Sequence, residues 1–158
     1  MALLNELFGL LTEVVLRNGG MVDKFLGDSV MAVFRGPSAE NHAVRALRAC
    51  DDMLHFVARA NAAWAKRYGT RIELGIGVNS GMCTLGNVGS HKRMEYTAIG
   101  DVVNVAARLE RLAAPGQVLV TGETSRQVDA RFEFTSLGTK SLGGRREPLQ
   151  VFALETQR

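Results

Sequence analysis

Residues 93–112 read RMEYTAIGDVVNVAARLERL, and this stretch decides how the rest of the chain is organised. An extended segment, Arg93 to Ala98, runs into Gly100-Asp101, and the pattern predicts a helix at once. Asp101 is a good N-cap, and Pro115-Gly116 stop the helix soon after Leu112. Val102, Val105, Leu109 and Leu112 recur at i, i+3, i+7 and i+10, which is one buried stripe. Asn104 and Arg108 lie one turn apart on a different face, so an amide and a guanidinium point the same way. By spacing alone they are a surface pair on an amphipathic helix. The same pair also suits an anionic group that gains charge during a reaction, because Arg is permanently charged and forks onto phosphate.

Working outward on the N-terminal side, Ala2 to Leu16 reads as a helix with a broad leucine and valine face, ended by Asn18-Gly19-Gly20. A hairpin follows, Met21 to Leu26 and Ser29 to Phe34, turning at Gly27-Asp28. Asn41 caps a long helix that runs to about Lys66, burying Val44, Leu47, Cys50, Met53, Leu54, Val57 and Trp64. Arg71 to Asn79 alternates strictly and reads as a half-buried strand, with Met82 to Asn87 as its hairpin partner. On the C-terminal side, Gln117 to Thr121, Phe132 to Ser136 and Leu149 to Leu154 are short strands, with a helical turn or two at Glu123 to Val128. Helices and strands mix without strict βαβ alternation. The expected fold is therefore an α+β sandwich of ferredoxin-like kind, helices packed on a mostly antiparallel sheet.

The 158 residues make one domain with room for a real core. A net charge of +3 on scattered Lys and Arg favours a small anionic ligand over a nucleic-acid tract. Cys50 and Cys83 lack CxxC spacing and read as thiols of a reducing compartment. No apolar run reaches membrane-spanning length and no signal peptide opens the chain, so it reads as soluble and cytoplasmic, without a membrane segment.

Chemistry concentrates in a few places. Lys24 sits within an apolar strand, either as an edge-strand lysine or as a donor to an acceptor on a bound base. Asp28 is either turn chemistry or one ligand of a divalent cation, which takes carboxylate oxygens and substrate phosphates. Gly86-Asn87-Val88-Gly89-Ser90 is a candidate phosphate-cradling nest, and Lys92, Arg93 and Arg145 are candidate phosphate contacts. Zinc spacing, a nucleophile elbow and a His-based triad are absent. Lys, Asp, Asn and Arg fit metal-assisted phosphoryl chemistry better than acyl hydrolysis.

The runs KFLGDSVMAVF from Lys24, GVNSGMCTLGNVGSHKRMEYTAIGDVVNVAARLE from Gly77 and QVLVTGET from Gln117 resemble, in order and spacing, the class III adenylyl/guanylyl cyclase catalytic domain. The resemblance implies a single catalytic domain over residues 1–158 that converts a nucleoside triphosphate to a 3′,5′-cyclic monophosphate at a homodimer interface, with two Mg²⁺ or Mn²⁺ ions. It makes Asp28 the second metal aspartate, and Lys24 and Thr97 the base-selecting pair, in the combination expected for ATP. It makes Asn104 the ribose-orienting residue, Arg108 the group that stabilises charge on the attacked phosphate, and Arg145 a triphosphate contact where Lys is usual. The strand carrying the first metal aspartate, in a stretch like F-x-D-I-x-G-F, has no match here. The chain is accordingly expected to be truncated at its N-terminus, inactive or nearly so as it stands, and attached to a regulatory domain in the full-length protein. A guanylyl cyclase, a non-catalytic cyclase-homology module and a ferredoxin-like nucleic-acid binder are the alternatives; the last lacks the aromatic–basic strand motif that stacks bases.

Overall fold

The computed structural model of the chain describes residues 1–142 and 147–156. Helix α1, Ala2–Arg17, buries Leu7, Leu11, Val14 and Val15. It ends where Asn18 Nδ2 turns back to donate to the Val14 carbonyl at 2.8 Å, and Gly19 then takes φ 78°. Strands β1, Met21–Leu26, and β2, Ser29–Val33, form the expected hairpin, with Gly27 at φ 61° in its two-residue turn. Helix α2, His42–Tyr68, is capped as predicted: Asn41 Oδ1 accepts from the Ala43 and Val44 amides at 2.7 and 3.2 Å. Gly69, left-handed at φ 68°, closes its other end.

The central sheet has four strands in the order β3-β6-β8-β7, namely Ile76–Val78, Val118–Thr121, Leu149–Leu154 and Phe134–Lys140. Strand β6 is buried throughout, and its residues alternate between two covers. Val118 and Val120 pack with Leu47 and Cys50 of α2, whereas Leu119 packs with Val105 and Leu109 of helix α3, Asp101–Leu112. The two helices thus sandwich the sheet. Val57 and Trp64, further along α2, pack against Leu7 and Leu11 of α1. The short helix α4, Gly122–Arg126, follows β6 directly. Among the described residues no helix is long and apolar enough to cross a membrane.

The α+β class holds, with three corrections. First, the strand expected over residues 71–79 is laddered only at Ile76–Val78, and it pairs parallel to β6 rather than in a hairpin. Second, its supposed partner belongs elsewhere: β4, Thr84–Ser90, pairs antiparallel with β5, Arg93–Ile99, as a separate two-stranded arm. Third, β1-β2 also stands as its own ladder, so the strands form three sheets rather than one among the described residues. At α3 the N-cap position is Gly100, with φ 149°, and Asp101 lies within the first turn. Val105 and Leu109 of the predicted stripe are buried, while Leu112, the last residue of the helix, is half exposed.

Candidate active site

Three elements bring the sequence-selected residues into relation: the β1-β2 hairpin, strand β5, and α3, which follows β5 after a single residue. Pairing along the hairpin runs Val22 to Ala32 and then Lys24 to Met31, so Asp23 is an extra residue in β1, a β-bulge. Bulges re-aim side chains, and this one turns Asp23 toward β5. Asp23 Oδ2 accepts from the Thr97 hydroxyl at 3.0 Å and from the Ala98 amide at 2.9 Å. Lys24, next in the chain, is half-buried, and Thr97 is only 6% exposed. The two residues expected to read a base therefore lie on strands tied together at that point. Asp28 stands at the exposed hairpin turn.

The helix end that carries the other pair is held from below. Asn79 Nδ2 donates to the Val102 carbonyl at 3.2 Å, and Asn79 Oδ1 accepts from the Thr121 hydroxyl at 2.6 Å. The Ser80 and Thr124 hydroxyls meet 3.0 Å apart beside them. Val105 and Leu109 anchor α3 to the sheet, which leaves Asn104 exposed and Arg108 half-buried. Four residues of helix separate the two by a rise of about 6 Å, the span of adjacent groups on one nucleotide. Asn79 and Asp23 are the contributors that sequence reasoning missed. The signal for Asp23 was an acid beside Lys24 in the middle of a strand whose other residues are apolar; Asn79 gave none beyond its place at the end of one.

Some candidates do not join this arrangement. Residues Gly86 to Ser90 form β4 and pair along their whole length with β5, so they make no phosphate nest. Arg145 lies outside the described residues. Divalent hard cations take six or more oxygens, yet among the described residues no group of three or more His, Cys, Asp or Glu side chains gathers. Asp28 alone does not make a metal centre, so the described residues of one chain do not fit the implied two-ion site.

The model for the adenylate and guanylate cyclase catalytic domain matches residues 1–156. Adenylate cyclase 1 of Rhizobium meliloti is 35% identical over an alignment covering 96% of this chain and 23% of that protein. An uncharacterised Mycobacterium tuberculosis protein is 38% identical, over 94% of this chain and 26% of its own length. The chain thus spans about a quarter of the length of these curated relatives. Among solved structures, the adenylyl cyclase CyaB from P. aeruginosa superposes with a TM-score of 0.93 at 32% identity, covering 99% of this chain and 82% of that one. The guanylyl cyclase Cya2 superposes at 0.89 with 28% identity, covering 97% and 78%.

Proposed function

Because the chain belongs to the adenylate and guanylate cyclase catalytic-domain family, we propose that it is the catalytic domain of an adenylyl cyclase, acting on ATP as a homodimer in the cytoplasm. The observation that carries the choice of ATP is the joining of Lys24 and Thr97 on strands linked by Asp23, since both adenylyl and guanylyl cyclases share this fold. Lys24 donates to a ring acceptor of the base, and Thr97 meets its exocyclic group. Asn104 orients the ribose so that its 3′-hydroxyl faces the α-phosphorus. A bond forms from O3′ to that phosphorus, the bond to the bridging oxygen breaks, and pyrophosphate leaves with the electron pair while the hydroxyl proton passes to solvent. Arg108 meets the negative charge that grows on the α-phosphate oxygens, and preorganised donors at such a place contribute large factors in rate.

No step is assigned to a metal, because the described residues of one chain do not assemble a site for it. The Mg²⁺ or Mn²⁺ that the family relationship implies would use Asp28 together with oxygens from beyond these residues. Exposed Leu16, Phe25 and Leu26, on α1 and the β1 hairpin, give an apolar surface of the kind that a second subunit covers. That no group of three or more His, Cys, Asp or Glu side chains gathers among the described residues of one chain supports one second reading, a cyclase-homology module that dimerises or senses nucleotide without turnover.

The deciding experiment is formation of cyclic AMP and cyclic GMP by the protein carrying this chain in its full coding context, with Mg²⁺ or Mn²⁺. Cyclic AMP lost on Arg108→Ala supports the enzyme. Nucleotide binding with no cyclic product would replace it with the second reading, and a preference for GTP would reverse the base assignment.

A further inference from the structure

We propose that Asp23 is a positioning residue that sets the base preference, by fixing the Thr97 hydroxyl as a hydrogen-bond acceptor toward the ligand. The inference rests on the ATP reading above and adds to it a residue and a direction for one proton.

A threonine hydroxyl has a single proton and two lone pairs. Among the described residues the proton has two possible destinations. The Ala98 carbonyl is 3.5 Å away, beyond the ordinary range for O–H···O bonds, whereas Asp23 Oδ2 is at 3.0 Å. An ionised carboxylate accepts only, and a hydrogen bond to it is stronger than one to a neutral carbonyl. The Ala98 amide donates to the same oxygen at 2.9 Å, which pins the carboxylate from a second side. Its other oxygen is buried and has no hydrogen-bond partner among the described residues, so no other donor draws the group away. The Thr97 proton is therefore committed to Asp23. What remains for a ligand is lone pairs, and lone pairs seek a donor. The exocyclic amine of adenine is a donor at the position where guanine carries a carbonyl acceptor. Lone pair facing carbonyl is a mismatch, and with Thr97 only 6% exposed there is little room for water to mediate it.

The bulge makes this possible. Without an extra residue at 23, β1 would alternate regularly, and the carboxylate would not be re-aimed toward β5. A purely structural Asp23, linking the β1 hairpin to β5 through the Ala98 amide, would affect folding without touching base preference.

The test measures binding of 3′-deoxy-ATP and 3′-deoxy-GTP, which cannot cyclise, to the protein carrying this chain in its full coding context. The unaltered protein is expected to prefer the adenine analogue. In Asp23→Ala the carboxylate acceptor is removed, the hydroxyl proton is released to turn toward the ligand, and the adenine-to-guanine ratio falls by roughly five- to tenfold. In a Thr97→Ala background the same change at residue 23 leaves the ratio where it is. The 3′-deoxy triphosphate of purine riboside, which lacks the amine, provides a readout that needs no substitution; it should bind the unaltered protein several-fold more weakly than 3′-deoxy-ATP. An unchanged ratio in folded Asp23→Ala, or equal binding of the analogues with and without the amine, overturns the role of Asp23 while ATP selection stands. An unaltered protein that binds no nucleotide, or prefers guanine, overturns the ATP reading and this inference with it.

Discussion

Asn61 of α2 pairs with the backbone of Ile72 in both directions, its Nδ2 donating to the Ile72 carbonyl at 2.9 Å and its Oδ1 accepting from the Ile72 amide at 2.8 Å. A side-chain amide here takes the place of a neighbouring strand. It satisfies the segment before β3 without a ladder, and Asn61 is itself buried. Asn61→Ala leaves two backbone groups without partners, and it should lower the free energy of unfolding by roughly 2–4 kcal/mol. Urea titration measures this; a loss below about 0.5 kcal/mol would mean that water replaces both bonds at no cost.

The same contact explains why part of the fold was legible in the sequence and part was not. Helix ends were readable because their chemistry is local: Asn41 caps α2, and Gly27-Asp28 turn the hairpin, both from residues within a few positions. Strict alternation over residues 71–79 signalled a half-buried segment, and residues 71–74 do alternate between exposed and half-buried, although only Ile76–Val78 are laddered. It carries no information about the partner, and a helix asparagine and a distant parallel strand took that role. The bulge at Asp23 was hidden for a related reason, since an extra residue is defined only by the strand opposite. In the candidate site, helical spacing put Asn104 and Arg108 on one face and only the resemblance gave them expected roles, while Asp23 and Asn79 act through contacts to residues 74 and 23 positions away.

Gly77 is where β3 passes closest to α3. A methyl group there would lie 2.4 Å from the Ala106 carbonyl oxygen and the Glu110 amide nitrogen, and 2.7 Å from Leu109 Cβ. These are backbone atoms and a buried stem, which cannot swing aside. Gly77→Ala should therefore destabilise the chain by about 1–3 kcal/mol and shift the helix that carries Asn104 and Arg108. Nucleotide affinity should fall together with thermal stability. Gly9→Ala, inside α1 where a methyl meets nothing within 4 Å, serves as the clash-free control and should stabilise by about 0.5–1 kcal/mol.

The two thiols should behave differently. Burial pushes the Cys50 thiol up to about 12, whereas Cys83 is exposed. A thiol-reactive probe at neutral pH should label one site in the folded chain, Cys83, and both in denaturant. The sign of the pH effect follows from proton counting. Between the ordinary thiol value and about 12 the folded chain keeps the Cys50 proton that the unfolded chain has lost, so stability is full below that window and falls as pH rises through it. Unfolding curves at about pH 7.5 and about pH 10.5 should show a smaller decline for Cys50→Ala than for the unaltered chain.

Asp28 and Arg108 can report whether one active site draws on two subunits. Asp28 sits at an exposed hairpin turn, and among the described residues it joins no group of three or more His, Cys, Asp or Glu side chains. Asp28→Ala and Arg108→Ala should each reduce cyclic AMP formation by about a hundredfold or more in the protein carrying this chain in its full coding context. If Asp28 of one subunit serves Arg108 of the other, a mixed dimer has one site with both substitutions and one with neither. Random exchange puts half the dimers in that mixed state, so equal mixing should restore about a quarter of the unaltered rate. With both residues drawn from one subunit, every site in the mixture lacks one of them, and activity should stay at the level of the separate variants.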